Sequence, residues 1–138
     1  MYALLGIRKK AAYIGATIKI ERVSLQIQTQ SEQVEWNWMF NPTVASTFTY
    51  SDETNSAVQT AVGVTANTIS GGTALTGGHL HSTSGGGGAG GVDTPIPNSL
   101  RLGSAIDNTV DEMVLCVRPV GGSTNVEIEG SITWRELA

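Results

Sequence analysis

The two histidines of the chain, His79 and His81, stand two residues apart in GGHLHST. On a strand both would project from one face, where a metal could take the two imidazoles and a third ligand such as Asp93. Two imidazoles are half a site, and no HExxH-type spacing accompanies them, so the expectation is a polar, exposed pair beside a glycine-rich stretch. A second arrangement is a shared metal or pH-sensitive site on a symmetry axis, with each subunit donating one imidazole. Glu127 and Glu129 also share a strand face, roughly 6–7 Å apart, a separation that overlaps that of glycosidase carboxylate pairs. Nothing else in the sequence supports hydrolysis, and such pairs are usually solvated or met by basic residues on the next strand.

The other chemistry-bearing residues read as structural. Cys116 is the lone cysteine, so an internal disulfide and a cysteine-based zinc site are both excluded. Flanked by Leu115 and Val117, it reads as a small buried hydrophobe rather than a nucleophile. The glycine run lacks the lysine and hydroxyl of a phosphate loop, and no serine sits in GxSxG. Arg8-Lys9-Lys10 could meet nucleic acid or an acidic surface, but a solvated end is the expectation. Trp36 and Trp38 share the face of Val34 and Phe40, which favours core packing over a sugar platform. Only Tyr13 and Tyr50 qualify as exposed platforms for a glycan. No catalytic, cofactor-binding or metal-ligating residue is assigned, and the chain is expected not to be an enzyme.

The elements that must carry these residues follow from the pattern. The chain has 138 residues, enough for one domain with a real core, and residues 1–138 are expected to form one. Eight basic against twelve acidic residues give a net charge of -4, which disfavours general binding to phosphate backbones. Only 14% of residues are charged, a composition suited to a β-rich protein partly covered by neighbours. No signal peptide or apolar membrane span is read, so synthesis in a cytoplasm is expected.

Ile18 and Ile20 alternate on one face, and Val23, Leu25 and Ile27 continue after a one-residue slip at Arg22, the mark of a β-bulge. Val34 to Phe40 makes a second strand, stopped by Asn41-Pro42. Shorter strands are expected at Thr47–Tyr50, Ala57–Val62, Thr68–Ile69 and Leu75–Leu80, and longer ones at Met113–Val117 and Val126–Trp134. In the last, Val126, Ile128, Ile132 and Trp134 face a core while Glu127, Glu129, Ser131, Thr133 and Arg135 face out. Gly130 interrupts the apolar face, which implies a close backbone approach. No segment shows a sustained helical stripe. The expected fold is therefore all-β: a single antiparallel β-sandwich, jelly-roll-like, with a long glycine-rich loop over 82–94.

The segments WNWMFNPTVASTFTY (36–50), NSAVQTAVG (55–63), ISGGTALTGG (69–78), LRLGSAID (100–107) and DEMVLCVRPVGG…SITWRE (111–136) together resemble a β-rich domain of tailed-bacteriophage structural proteins. The matching residues are scaffold: Trp36, Asn41-Pro42, Asn55-Ser56, Gly71-Gly72, Asp111, Trp134 and Arg135-Glu136. The glycine-rich stretch at 84–91 departs from that pattern and reads as an insertion that contacts a neighbour. The resemblance implies a non-enzymatic virion component, whether head decoration, cement, fibre or spike, assembled in the host cytoplasm. Its expected partners are other virion structural proteins and further copies of itself, a trimer being one arrangement. A host-surface glycan is the alternative partner; no nucleic acid, membrane or cofactor is expected.

Overall fold

A computed structural model describes residues 1–29, 32–82, 91–95, 101–104, 106, 109–121 and 126–137, with side chains left out at 91–95 and 101. In chain order the strands are β1 (Tyr2–Lys9), β2 (Thr17–Ile27), β3 (Gln33–Phe40), β4 (Thr43–Val44), β5 (Ser51–Asp52) and β6 (Val58–Val62). They continue as β7 (Ile69–Ser70), β8 (Thr73–His81), β9 (Gly91–Pro95), β10 (Arg101–Leu102), β11 (Glu112–Pro119) and β12 (Ile128–Leu137). Every pairing is antiparallel. A six-stranded sheet runs β5-β6-β1-β11-β3-β8. In a second sheet β12 lies along one edge of β2, so β9 and β10 pair with its other edge. The short β4–β7 pair forms a third sheet. The chain is thus all-β, with antiparallel sheets packed together.

Alternation decides which face each strand buries. Ile18, Ile20, Val23, Leu25 and Ile27 of β2 join Ile7, Val34, Trp36, Trp38, Met113, Leu115 and Val117 in the main core, between the two large sheets. The slip at Arg22 is a bulge: Thr133 faces Arg22 and Trp134 faces Ile20, which leaves Glu21 as the extra residue. It switches parity, so both halves of a long strand keep their apolar side chains inward. Gly130 is the close approach its position implied. A Cβ there would meet Leu4 Cδ2 at 2.8 Å and Leu115 Cδ2 at 3.2 Å, both side chains of the six-stranded sheet.

A second cluster lies on the other face of the six-stranded sheet. Ala3, Met39, Val114 and Cys116 are covered there by Met1, Val44, Phe48 and Ile69. Strands β1 and β11 are consequently apolar on both faces, and β11 reads as a run of buried residues from Met113 to Val117. Asn67, buried at 1% exposure, pins the covering layer. Its amide donates to the carbonyls of Ala45 and Thr47, both at 3.0 Å, and its Oδ1 accepts from Val64 N at 2.9 Å.

Several expectations are corrected. Strand β1 is an addition to the expected strands; it has no regular alternation because a register shift between Ala3 and Leu5 places Leu4 and Leu5 together against the main core. Thr47–Tyr50 is not a strand; Phe48 and Tyr50 cap the outer face over Gly6, where a Cβ would meet Tyr50 Oη at 2.6 Å. Arg8-Lys9-Lys10 is not a solvated end. Lys9 is 7% exposed and donates to the Ile14 carbonyl, and Lys10 donates to the Glu53 carbonyl. The apolar face of the closing segment is as expected: Val126, Ile128, Ile132 and Trp134 pack against the main core, and they are half-buried because β12 lies at the edge of its sheet. Of the glycine-rich loop expected over 82–94, residues 83–90 lie outside the described residues, while 91–95 form β9.

Candidate functional site

His79 and His81 are exposed on β8, at the edge of the six-stranded sheet, and flank the buried Leu80. They share the sheet's outer face, with His79 opposite Glu35 and His81 opposite Gln33. Glu35 is held in an ion pair by Arg118. Gln33, His79, Leu80, His81 and Val120 line a recess of about 340 Å³. Asp93, on β9, pairs through its backbone with Ser24 of β2, and its side chain lies outside the described residues. Among the described residues, no group of three or more His, Cys, Asp or Glu could hold a metal.

Glu127 and Glu129 are both exposed, and Glu129 lies opposite Gln26 on β2. The depression beside Glu129 is shallow, about 160 Å³, and lined by Ser24, Leu25, Gln26, Gly130 and Ser131. Among the described residues no second acid lines this depression, and Glu127 and Glu129 project from one stretch of chain, at the start of β12, rather than from opposed walls. Trp36 and Trp38 are core residues, at 3% and 0% exposure. Neither indole N–H meets an acceptor among the described residues.

Cys116 is fully buried, and desolvation pushes its thiol pKa up to about 12 against the opposing pull of the N-terminal ammonium. A thiol kept neutral and covered is inert. The folded protein should therefore resist a thiol-specific disulfide reagent at pH 8, and label only as fast as it unfolds. The linkage has a sign: the unfolded chain releases this proton near the ordinary thiol value, whereas the folded chain holds it up to about 12. Above pH 9 this group alone lowers stability by about 1.4 kcal/mol per pH unit. Denaturant melts of the native chain and of Cys116→Ala across that interval check it, because the variant should lose that slope.

Three surface features escaped sequence reasoning, since each joins residues far apart in the chain. The first is an apolar groove of about 380 Å³ where β1, β11, β12 and the turn after β6 meet. Tyr2, Leu4, Val64, Val117, Pro119 and Ile128 are among its walls, and Val64 is 63% exposed. The second is a polar recess of about 400 Å³ lined by Lys10, Tyr13, Asn55, Ser56, Ala57 and Glu136. The Glu136 carboxylate accepts from the Ser56 hydroxyl, from Ala57 N at 3.0 Å and from Trp134 Nε1 at 3.0 Å. Desolvation raises its pKa, but these bonds and the Lys10 charge outweigh it and hold the carboxyl below its ordinary value. Tyr13 stands 55% exposed at the rim.

The third feature is a closed network on the outer face. The Arg8 guanidinium lies 4.1 Å from the Tyr50 ring centroid, and Arg8 Nε donates to Gln59 at 2.8 Å. Tyr50 Oη donates to Glu112 at 2.6 Å, and Phe48 meets Tyr50 edge-on at 5.4 Å between centroids. Desolvation, then the Glu112 carboxylate, raise the Tyr50 phenol far above its usual value. These groups are occupied with one another, which makes Tyr50 a structural residue rather than an open platform. No family model, no curated protein and no solved structure matches the chain.

Proposed function

We propose that the chain is a non-enzymatic structural component of a tailed-phage virion that works through contacts with neighbouring subunits. In this reading its sheets form a jelly-roll-like β-sandwich, and the glycine-rich stretch extends from it as a loop. The observation that carries it is the apolar groove. Tyr2, Val62 and Val64 expose large apolar side chains at or beside it, where a free monomer would gain by covering them. The edge of β12 with which no described strand pairs borders the same groove through Ile128. Many weak contacts of this kind add up in an assembly of repeated subunits. Its partners would be further copies of the chain, a trimer being one arrangement, and other virion proteins, met after assembly in the host cytoplasm.

The test is absolute mass by light scattering behind a sizing column. A stable oligomer that Val64→Asp reduces to monomer supports the reading. A native chain that stays monomeric at all concentrations sinks self-assembly through the groove. A second reading, a host-glycan-binding module, is favoured by the Tyr13 recess, where an exposed ring stands beside Asn55, Lys10 and a fixed carboxylate. Such a site would stack a sugar face on Tyr13 and bond its hydroxyls to the polar groups. Glycan-array binding lost in Tyr13→Ala would move the conclusion to that reading.

A further inference from the structure

We propose that His79 and His81 are half of a divalent transition-metal site, which two copies of the chain complete by pairing their β8 edges. Each chain contributes two imidazoles to one metal ion, of the kind that nitrogen ligands favour, such as zinc.

The ligand set points to sharing. Residues two apart on a strand project from one face, roughly 6–7 Å apart, close enough for two imidazoles to converge on one ion with metal–nitrogen bonds of about 2.0–2.1 Å. Both imidazoles are exposed, and neither has a hydrogen-bond or ion-pair partner among the described residues. Zinc takes four ligands in a closed site. One chain offers two: Glu35, the nearest carboxylate across the strand, is engaged by Arg118, and Gln33 is a neutral amide. Among the described residues the site is therefore incomplete in one copy.

The backbone supplies the means of completing it. Ser82 N donates to Glu32 O at 2.9 Å, so the peptide groups of Ser82, Leu80 and Gly78 face β3. Those of His79 and His81 then face away from β3, where no described strand pairs with β8. A two-fold axis through Leu80 sets His79 opposite the partner subunit's His81, and His81 opposite the partner subunit's His79. In that register outward-facing peptide groups meet outward-facing ones, so the ladder hydrogen bonds form. Cross-strand neighbours have Cβ atoms about 4.5–5.5 Å apart, which gathers four imidazoles on one face of the joined sheet. The contact is isologous and self-limiting at two copies.

This contact is separate from the apolar groove, and the experiment keeps the two apart. The full-length chain, and its Val64→Asp variant in parallel, are mixed with zinc chloride and passed over a sizing column with light scattering. Zinc retained in each peak is measured by elemental analysis. The expected result is a doubled mass with one zinc per two chains in both proteins, reversed by a chelator. His79→Asn and His81→Asn should each abolish it while keeping the native melting temperature, since both side chains are exposed. Zinc bound at one per chain without a change in mass, doubling that persists in either histidine variant, or no retained zinc would each overturn the proposal. Failure of the groove reading shows instead as an unchanged mass on Val64→Asp in the absence of zinc.

Discussion

Replacing Trp38 by alanine is expected to lower the unfolding free energy by about 3–5 kcal/mol, the range for emptying a large aromatic site in a core. Trp38 is fully buried, paired with Leu115 on β11 and with Thr76 on β8, in the middle of the main cluster. Single domains carry about 5–15 kcal/mol in total, so the variant should be partly unfolded at physiological temperature. Denaturant titration followed by far-UV circular dichroism reads the loss directly. Trp38→Phe supplies the contrast. It keeps most of the packed surface and removes an indole N–H that meets no acceptor among the described residues, so its loss should be well below that of alanine. Equal losses in the two variants would show that the ring does not fill the core as described.

Gly63→Ala is the second large effect, expected to cost about 3 kcal/mol, at the upper end of the range for overpacking. A Cβ at Gly63 would overlap the Ala3 carbonyl, lying 2.6 Å from its carbon, and the obstacle is backbone, which cannot rotate away. Gly63 N also donates to Leu4 O at 2.9 Å, so the turn cannot move without losing that bond and disturbing β1. Gly15→Ala is the control, because nothing lies within 4 Å of a Cβ there. It should be neutral or stabilise by up to about 1 kcal/mol through the unfolded state. Thermal melts of the two variants side by side check the pair; a Gly63→Ala chain as stable as the control would refute the close approach. The same substitution should also alter the apolar groove, since Gly63 and Val64 line it.

The legible parts of the fold were those where one face is buried and the other is wet. Ile18 to Ile27, Val34 to Trp38 and Ile128 to Trp134 each repeat every second residue, and the slip at Arg22 marked a real bulge. The exposure of His79 and His81, the burial of Cys116 and the tight contact at Gly130 were also readable, from residue type and neighbours alone. Strand β1 was not. Its alternation is broken between Ala3 and Leu5 and both of its faces are covered, so the period-2 signal on which strand recognition depends is absent. The basic cluster misled for a related reason: a long cationic side chain can lie along apolar surface while its ammonium reaches a carbonyl, as Lys9 does at Ile14.

What the sequence determined by itself was the class of structure, through local periodicity, and the burial of Cys116, through its apolar neighbours. Tertiary structure alone decided which strands lie side by side. Only that order brings Tyr2, Val64, Val117 and Ile128 to one groove, sets Glu136 against Ser56, and turns the peptide groups of His79 and His81 to a side where no described strand pairs with β8. The physical reason is range. A strand's face pattern is encoded within a few residues, whereas its neighbours are selected by the summed burial of side chains distant in the chain.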